Sequence, residues 1–192
     1  MSYFLHAYAI TMSHEGGYGN DPDDIGGETY KGISRVYNPN WNGWGIIDTY
    51  KSLSTFPSCL DVDDELQRRV KEYYKDKYFD DYLGDNMPKE LALEMFDTSV
   101  NMGVGRSVKF LQIALNVLNR NRSLYQDQVV DGDYGPTTHK TLYAYLRTDS
   151  EMLLCKIINV LQGNHYINYM TKSPTQEKYA RGWFNRVEIT KR

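Results

Sequence analysis

The stretch from Ser13 to Ser34 concentrates the groups best suited to acid–base chemistry. It reads His14-Glu15-Gly16-Gly17-Tyr18, then Asn20-Asp21-Pro22-Asp23-Asp24, then Gly26-Gly27-Glu28-Thr29 and Gly32-Ile33-Ser34. Glu15 ends an apolar helical stripe, so its backbone is fixed and one side faces a core. The chain then turns back through glycines, and a second set of carboxylates follows within ten residues. Glycosidic bond cleavage needs this combination. One carboxylic acid in apolar surroundings, with a raised pKa, protonates the leaving oxygen; a second, more solvated carboxylate acts as base, nucleophile or charge stabiliser. Glycines leave room for a sugar to approach the backbone. A glutamate at a helix C-terminus is disfavoured by the helix dipole, which costs a little stability and itself raises the carboxyl pKa. The bland alternative for the same residues is a solvated, acidic, glycine-rich loop.

The elements that must position these groups read as helices. Phe4, Leu5, Tyr8, Ala9 and Met12 form one apolar stripe, stopped by Gly16-Gly17 after Glu15. From Gly16 to about Pro57 no period is sustained, which predicts a long Gly-rich loop or a small β-hairpin. Asp61 or Asp63 can cap a helix striped by Leu66, Val70, Tyr73, Tyr74 and Tyr78. Leu91, Met95, Phe96, Ser99 and Val100 mark the next helix, closed by Gly103, and Val108, Leu111, Ala114, Leu115 and Leu118 the one after. Pro136 suits the first position of a helix, and Leu153, Leu154, Ile157, Ile158 and Leu161 predict a buried central one. Ser173-Pro174-Thr175-Gln176 resembles a capping box opening a last helix with Tyr179, Ala180, Trp183, Phe184 and Val187. The sum is a mainly α protein with one irregular insert near its start.

Composition narrows the classes. With 41% hydrophobic and 24% charged residues over 192 positions, the chain can bury a sizeable core. A net charge of −3 gives no basic excess of the kind that binds nucleic acid. No stretch approaches the ~20 apolar residues of a membrane span, and the N-terminus carries no readable secretion signal. The expectation is a monomer made in the cytoplasm, which other means must release if its substrate lies outside the membrane, as the cell wall or periplasm does. Cys59 and Cys155 are expected to be reduced thiols. The 17 tyrosines suit sugar contacts through ring faces and hydroxyls, although most must pack helices. His14-Glu15 lacks the second histidine of a zinc protease motif, since Tyr18 stands there, and Asp127 to Thr138 lacks a calcium loop's third- and twelfth-position ligands. No metal and no cofactor is expected.

Glu15-Gly16-Gly17-Tyr18, Asp21-Pro22-x-Asp24-x-Gly26-Gly27-x-Thr29 and Gly32-Ile33-Ser34 together resemble the N-terminal signature of glycoside hydrolase family 108. That family comprises bacterial and phage N-acetylmuramidases, some called secretion activator proteins. The resemblance implies a lysozyme-like helical fold with Glu15 as proton donor. It is also similar to the Glu, Asp, Thr triad of phage lysozymes: Asp24 follows Glu15 by nine positions as that triad expects, while Thr29 follows Asp24 by five, one short. Ile25 stands where the family often has proline. Phe96-Asp97-x-x-Val100-Asn101-x-Gly103 resembles a later block whose helix faces the cleft. Phe110-Leu111-Gln112-x-Ala114-Leu115-Asn116 with Val130-Asp131-Gly132-Asp133-Tyr134-Gly135-Pro136-x-Thr138 resembles peptidoglycan-binding modules, and Gly182-Trp183-Phe184-Asn185-Arg186 matches the family's C-terminal end.

The implied organisation is a lysozyme-like catalytic region over 1–103 and a helical peptidoglycan-binding-like region over 104–192, acting on peptidoglycan glycan strands. Glu15, Asp24 and Thr29 are the expected catalytic set; Asp21 is a less favoured partner for Glu15. Tyr18, Asp21, Trp41, Trp44, Asp97 and Asn101 are expected substrate contacts, against the alternatives of loop packing for the indoles and a helix-surface role for Asp97. The phage lysozyme likeness implies an inverting reaction, which requires carboxylates ~6.5–9.5 Å apart rather than ~5 Å. Two other functions remain open at this point: a catalytically silent wall-binding or secretion-linked protein, and a chitinase-like glycosidase.

Overall fold

The structure, a computed structural model, describes residues 3–12, 16–21, 26–80 and 87–187. It divides into two compact units, Phe4–Asp81 and Tyr82–Arg192, the latter grouped with Met1–Tyr3. The described residues hold eight α-helices and one three-stranded sheet, the mainly α class that the periodicity predicts. None of the helices among them is long and apolar enough to cross a membrane.

In the first unit, α1 (Tyr3–Met12) buries Phe4, Ala7 and Thr11. The expected stripe is therefore rotated, with Leu5 and Ile10 exposed. Aromatic packing decides the face: Phe4 meets Phe79 edge-on at 5.5 Å, and Tyr8 meets Tyr74 at 5.9 Å. The irregular insert contains an antiparallel sheet of β1 (Tyr18–Gly19), β2 (Thr29–Tyr30) and β3 (Ile33–Ser34). Lys31 and Gly32 join β2 to β3 with φ of 44° and 78°, the pair of positive values that a two-residue type I′ hairpin requires. Tyr30 and Ile33 face each other in that register and are fully buried.

The insert also holds a helix that the sequence hides. α2 (Gly43–Tyr50) buries Trp44 and Ile47, yet two glycines in its first turn argue against helix by propensity. Gly43 is there for space. A Cβ on it would lie 2.3 Å from the Trp41 ring, so only glycine lets that indole lie against the backbone. Asp63, rather than Asp61, caps α3 (Asp64–Lys75) by accepting from the Leu66 N–H at 2.6 Å. A π-helical turn over Asp76–Asp80 follows and places Phe79 in the core.

In the second unit α4 (Lys89–Met102), α5 (Val104–Val117) and α7 (Glu151–Lys172) pack on one another, and α6 (Pro136–Leu146) packs on α5. Gly103, at φ 86°, makes the one-residue junction of α4 and α5. α7 is central but not uniformly apolar. Leu154 and Ile158 are buried while Leu153 is exposed, and Asn159, Gln162 and Tyr166 take buried positions beside them. These polar groups meet α4: Asn159 donates to Glu94 at 2.6 Å and Tyr166 to Asn101 at 2.6 Å.

The expected capping box does not form. Ser173 makes no side-chain cap bond, and a 3-10 turn over Pro174–Tyr179 precedes the short α8 (Ala180–Phe184). Tertiary stacking prevails there, with Trp183 against Tyr166 at 5.2 Å and Tyr179 at 5.7 Å. Both cysteines are free, and burial pushes the Cys155 thiol up to about 12, which leaves it unreactive.

The wall-module motif has a mechanical role in this unit. Gln112 on α5 donates to the Asp131 carboxylate at 2.7 Å and to the Asp133 carbonyl at 3.1 Å, and accepts from the Gly132 N–H at 2.9 Å. Gly132, at φ 85°, sits so close to Gly105 that a Cβ would meet its carbonyl oxygen at 2.6 Å. One side chain thus clamps the whole Asp131–Thr138 turn onto α5, which accounts for glutamine and glycine at those places.

Candidate active site

Glu15 and Asp24 lie outside the described residues, so the site is built from the described residues that flank them in the sequence, within the Phe4–Asp81 unit. Thr29 and Ser34 sit opposite each other across β2 and β3. The Thr29 hydroxyl donates to the Gly27 carbonyl at 3.1 Å, and the Ser34 hydroxyl donates to the Gly26 carbonyl at 2.5 Å. The two hydroxyls therefore pin the glycine pair on which the acidic loop ends. Gly27 is in the left-handed region at φ 58°, and a Cβ there would press on Val36 at 3.0 Å. Because Thr29 spends its proton on Gly27, its oxygen can only accept from a further partner such as water.

The hairpin is held from the other side by α3. Tyr74 donates to the Lys31 carbonyl at 2.6 Å, Lys31 donates to Gln67 at 2.7 Å, and Gln67 donates to the Tyr30 hydroxyl at 2.8 Å. Tyr30 in turn donates to the Leu60 carbonyl at 3.1 Å. Four side chains and two carbonyls thus fix the strand that carries Thr29.

Tyr18 turns its hydroxyl to Glu28 at 3.1 Å and sets its ring edge-on to Phe56 at 4.7 Å. Glu28 is the anchor of a charge cluster that sequence reading missed. Its carboxylate accepts from Arg35 at 2.7 Å and Lys51 at 2.8 Å, and Arg35 also grips Asp48 through two bonds of 2.8 and 2.6 Å. Burial alone would raise the Glu28 pKa, but hydrogen bonds from Lys51, Arg35 and Tyr18 outweigh it and hold the carboxyl below its ordinary range. Asp48 is held lower still by Arg35 and Lys51. Glu28 therefore stays ionised and saturated with donors, the reverse of what a proton donor needs. Its partners lie 7 and 23 positions away, a spacing with no sequence signature.

That cluster makes stability depend on pH. Glu28 contributes fully above its ordinary value of 4.5, and the contribution is lost as pH falls through its lowered folded value. Glu28→Gln should lower stability by about 1–2 kcal/mol at pH 7 and by less at a pH below 4.5. Thermal melts of both proteins across that range check this; equal losses at both pH values would contradict it.

Trp44 is a core residue, 3% exposed, whose indole N–H donates to the Asn38 carbonyl at 2.8 Å and whose ring carries the Arg35 guanidinium at 5.1 Å. Trp41 is half-buried, edge-on to Trp44 at 5.1 Å and facing Tyr73 at 6.3 Å. Asp21 is exposed just after β1. Asp97 and Asn101 belong to the other unit, where Asp97 pairs with Arg186 at 2.9 Å and Asn101 accepts from Tyr166.

Residues 8–103, half of the chain, match the family described as Glycosyl hydrolase 108, and residues 106–188 match one described as Predicted Peptidoglycan domain. Among solved structures the chain is similar in fold to SagA of Brucella abortus, with a TM-score of 0.57 and 22% identity, covering 96% of this chain and 88% of that one. No curated protein matches. The compact units divide near residue 81, whereas the family matches meet between 103 and 106, because α4 packs with the helices that follow it. The chain belongs to the glycosyl hydrolase 108 family and is a peptidoglycan hydrolase of the lysozyme type.

Proposed function

We propose that the protein is an N-acetylmuramidase in which Glu15 is the general acid. The observation that carries this reading is the state of Glu28: among the described residues, this half-buried acid beside the hairpin is held as a carboxylate by three donors, so it is unsuited to give a proton, and Glu15 is the glutamate of the family motif. Glu15 follows the last described residue of α1 by three positions, and a helix C-terminus raises a nearby carboxyl pKa. In this reading Glu15 protonates the glycosidic oxygen as the bond breaks. Asp24 accepts one hydrogen of the attacking water and Thr29 accepts the other, since its own proton is committed to Gly27. With both hydrogens engaged, the water's lone pair is free to attack the anomeric carbon. The bonds from Ser34 and Thr29 fix Gly26 and Gly27, the two residues from which Asp24 is separated by Ile25 alone.

The test is the chemistry of the new chain ends. Purified peptidoglycan digested by the protein, reduced with borohydride and hydrolysed, should yield muramicitol in proportion to clearing. Glucosaminitol in its place, or new amino groups without reducing ends, would overturn the reading.

A further inference from the structure

A cleft of about 380 Å³ opens on the first unit, lined by Asn40, Trp41, Asn42, Arg69, Glu72, Tyr73, Asp76 and Lys77. None of Tyr18, Asp21 or Thr29 lines it. Its aromatic side is rigid. Gly43 lets the Trp41 ring lie against the start of α2, Trp44 meets it edge-on, and Tyr73 is tied to Asn38 at 2.9 Å and to Lys77 at 2.7 Å. The Trp41 indole nitrogen is buried and has no hydrogen-bond partner. Such a donor ordinarily costs stability and is a feature to be explained.

From this geometry we infer that the cleft is a saccharide-binding site, which takes an N-acetylated amino sugar of the glycan strand on residues other than Tyr18, Asp21 and Thr29. The inference rests on the peptidoglycan reading above. Three features select a neutral sugar over the charged peptide stem. Indole and phenol rings offer apolar faces and edges to the C–H groups of a pyranose. Asn40 and Asn42 each present a donor and an acceptor, the set that hydroxyl and acetamido groups need. The lining charges cancel, two cationic and two anionic, and they are partly paired already: Arg69 with Glu65 at 2.7 Å, and Glu72 with Arg68. A carboxylate-bearing stem would meet both signs there, whereas a neutral ring meets acceptors for its hydroxyls in Glu72 and Asp76. A site of this kind adds a sugar contact to those of the hydrolytic site and would favour long strands over short ones.

The experiment measures binding by the full-length Glu15→Gln protein, by calorimetry, to glycan strands stripped of their stems and, separately, to the free stem peptide. Trp41→Ala in that background should weaken binding of stripped strands by about tenfold and leave any stem binding unchanged. If Trp41→Ala disturbs the circular dichroism spectrum, the exposed pair Asn40→Ala with Asn42→Ala carries the test and should weaken strand binding at least severalfold. Undiminished strand binding by folded variants, or an equal loss for the stem peptide, would overturn the inference. New reducing ends are counted in the same samples, so binding is separated from turnover even if Glu15 is not the acid. Failure to form muramicitol would count against the muramidase reading alone.

Discussion

Trp44→Ala should destabilise the protein by about 3–5 kcal/mol, a large share of the 5–15 kcal/mol that an ordinary domain possesses. The indole is 3% exposed and serves three partners at once: its N–H satisfies the Asn38 carbonyl, its face carries Arg35, and its edge supports Trp41. Truncation leaves a cavity, an Asn38 carbonyl that keeps only the Trp41 backbone N–H at 3.2 Å, and an Arg35 that has lost the surface holding it toward Glu28. At roughly 2–4 °C per kcal/mol, the melting temperature should fall by about 10 °C. Trp44→Phe keeps the ring volume in part and should recover more than half of the loss. A melting temperature within a degree or two of wild type for Trp44→Ala would show that the indole does not hold the insert together. The contrast with Trp41 is specific. Trp44 changes should act on stability, and Trp41 changes on glycan affinity, although only three positions separate the two residues.

That contrast shows where the sequence is readable. Composition and loop context make both tryptophans equal candidates for sugar contact, because solvent exposure depends on how the loop closes over α3. What separates them is Gly43, whose missing Cβ admits the Trp41 ring, and Asn38, which receives the Trp44 N–H. The amphipathic helices α3, α4 and α5 are legible because their apolar faces repeat at helical spacing and Asp63 and Gly103 punctuate their ends, as Pro136 opens α6. α2 is not, since a helix of eight residues with glycines in its first turn is stabilised by tertiary burial of Trp44 and Ile47 rather than by propensity. α1 shows the same limit on a finer scale: spacing alone fits several faces, and contacts with Phe79 and Tyr74 choose among them.

The candidate site is legible in a different way. The glycines and hydroxyl residues of the Ser13–Ser34 stretch mark it in sequence, and the structure supplies the reason for several of them: Gly32 for the hairpin, Gly27 for a left-handed turn, Ser34 and Thr29 to hold that turn. Glu28 is the residue that sequence reading passes over. A carboxylate between glycine and threonine reads as one more acid of the loop, and only the fold brings Arg35, Asp48 and Lys51 around it. Asp97 and Asn101 are held by Arg186 and Tyr166, partners some 65 to 89 positions away. Pairings of that range leave no periodic trace.

The second large effect concerns Glu15, and it is also the most direct test of the account. Glutamine keeps the shape and hydrogen-bonding reach of glutamate but has no proton to deliver, and general-acid catalysis is worth typically ~10²–10⁴-fold. The measurement is turbidity clearing of purified peptidoglycan by wild type and by Glu15→Gln, with folding of both verified by circular dichroism and new reducing ends counted. The account predicts clearing with reducing ends by wild type, and a rate lower by ~10²–10⁴-fold for a variant with an unchanged spectrum. Equal rates from two equally folded proteins would contradict it.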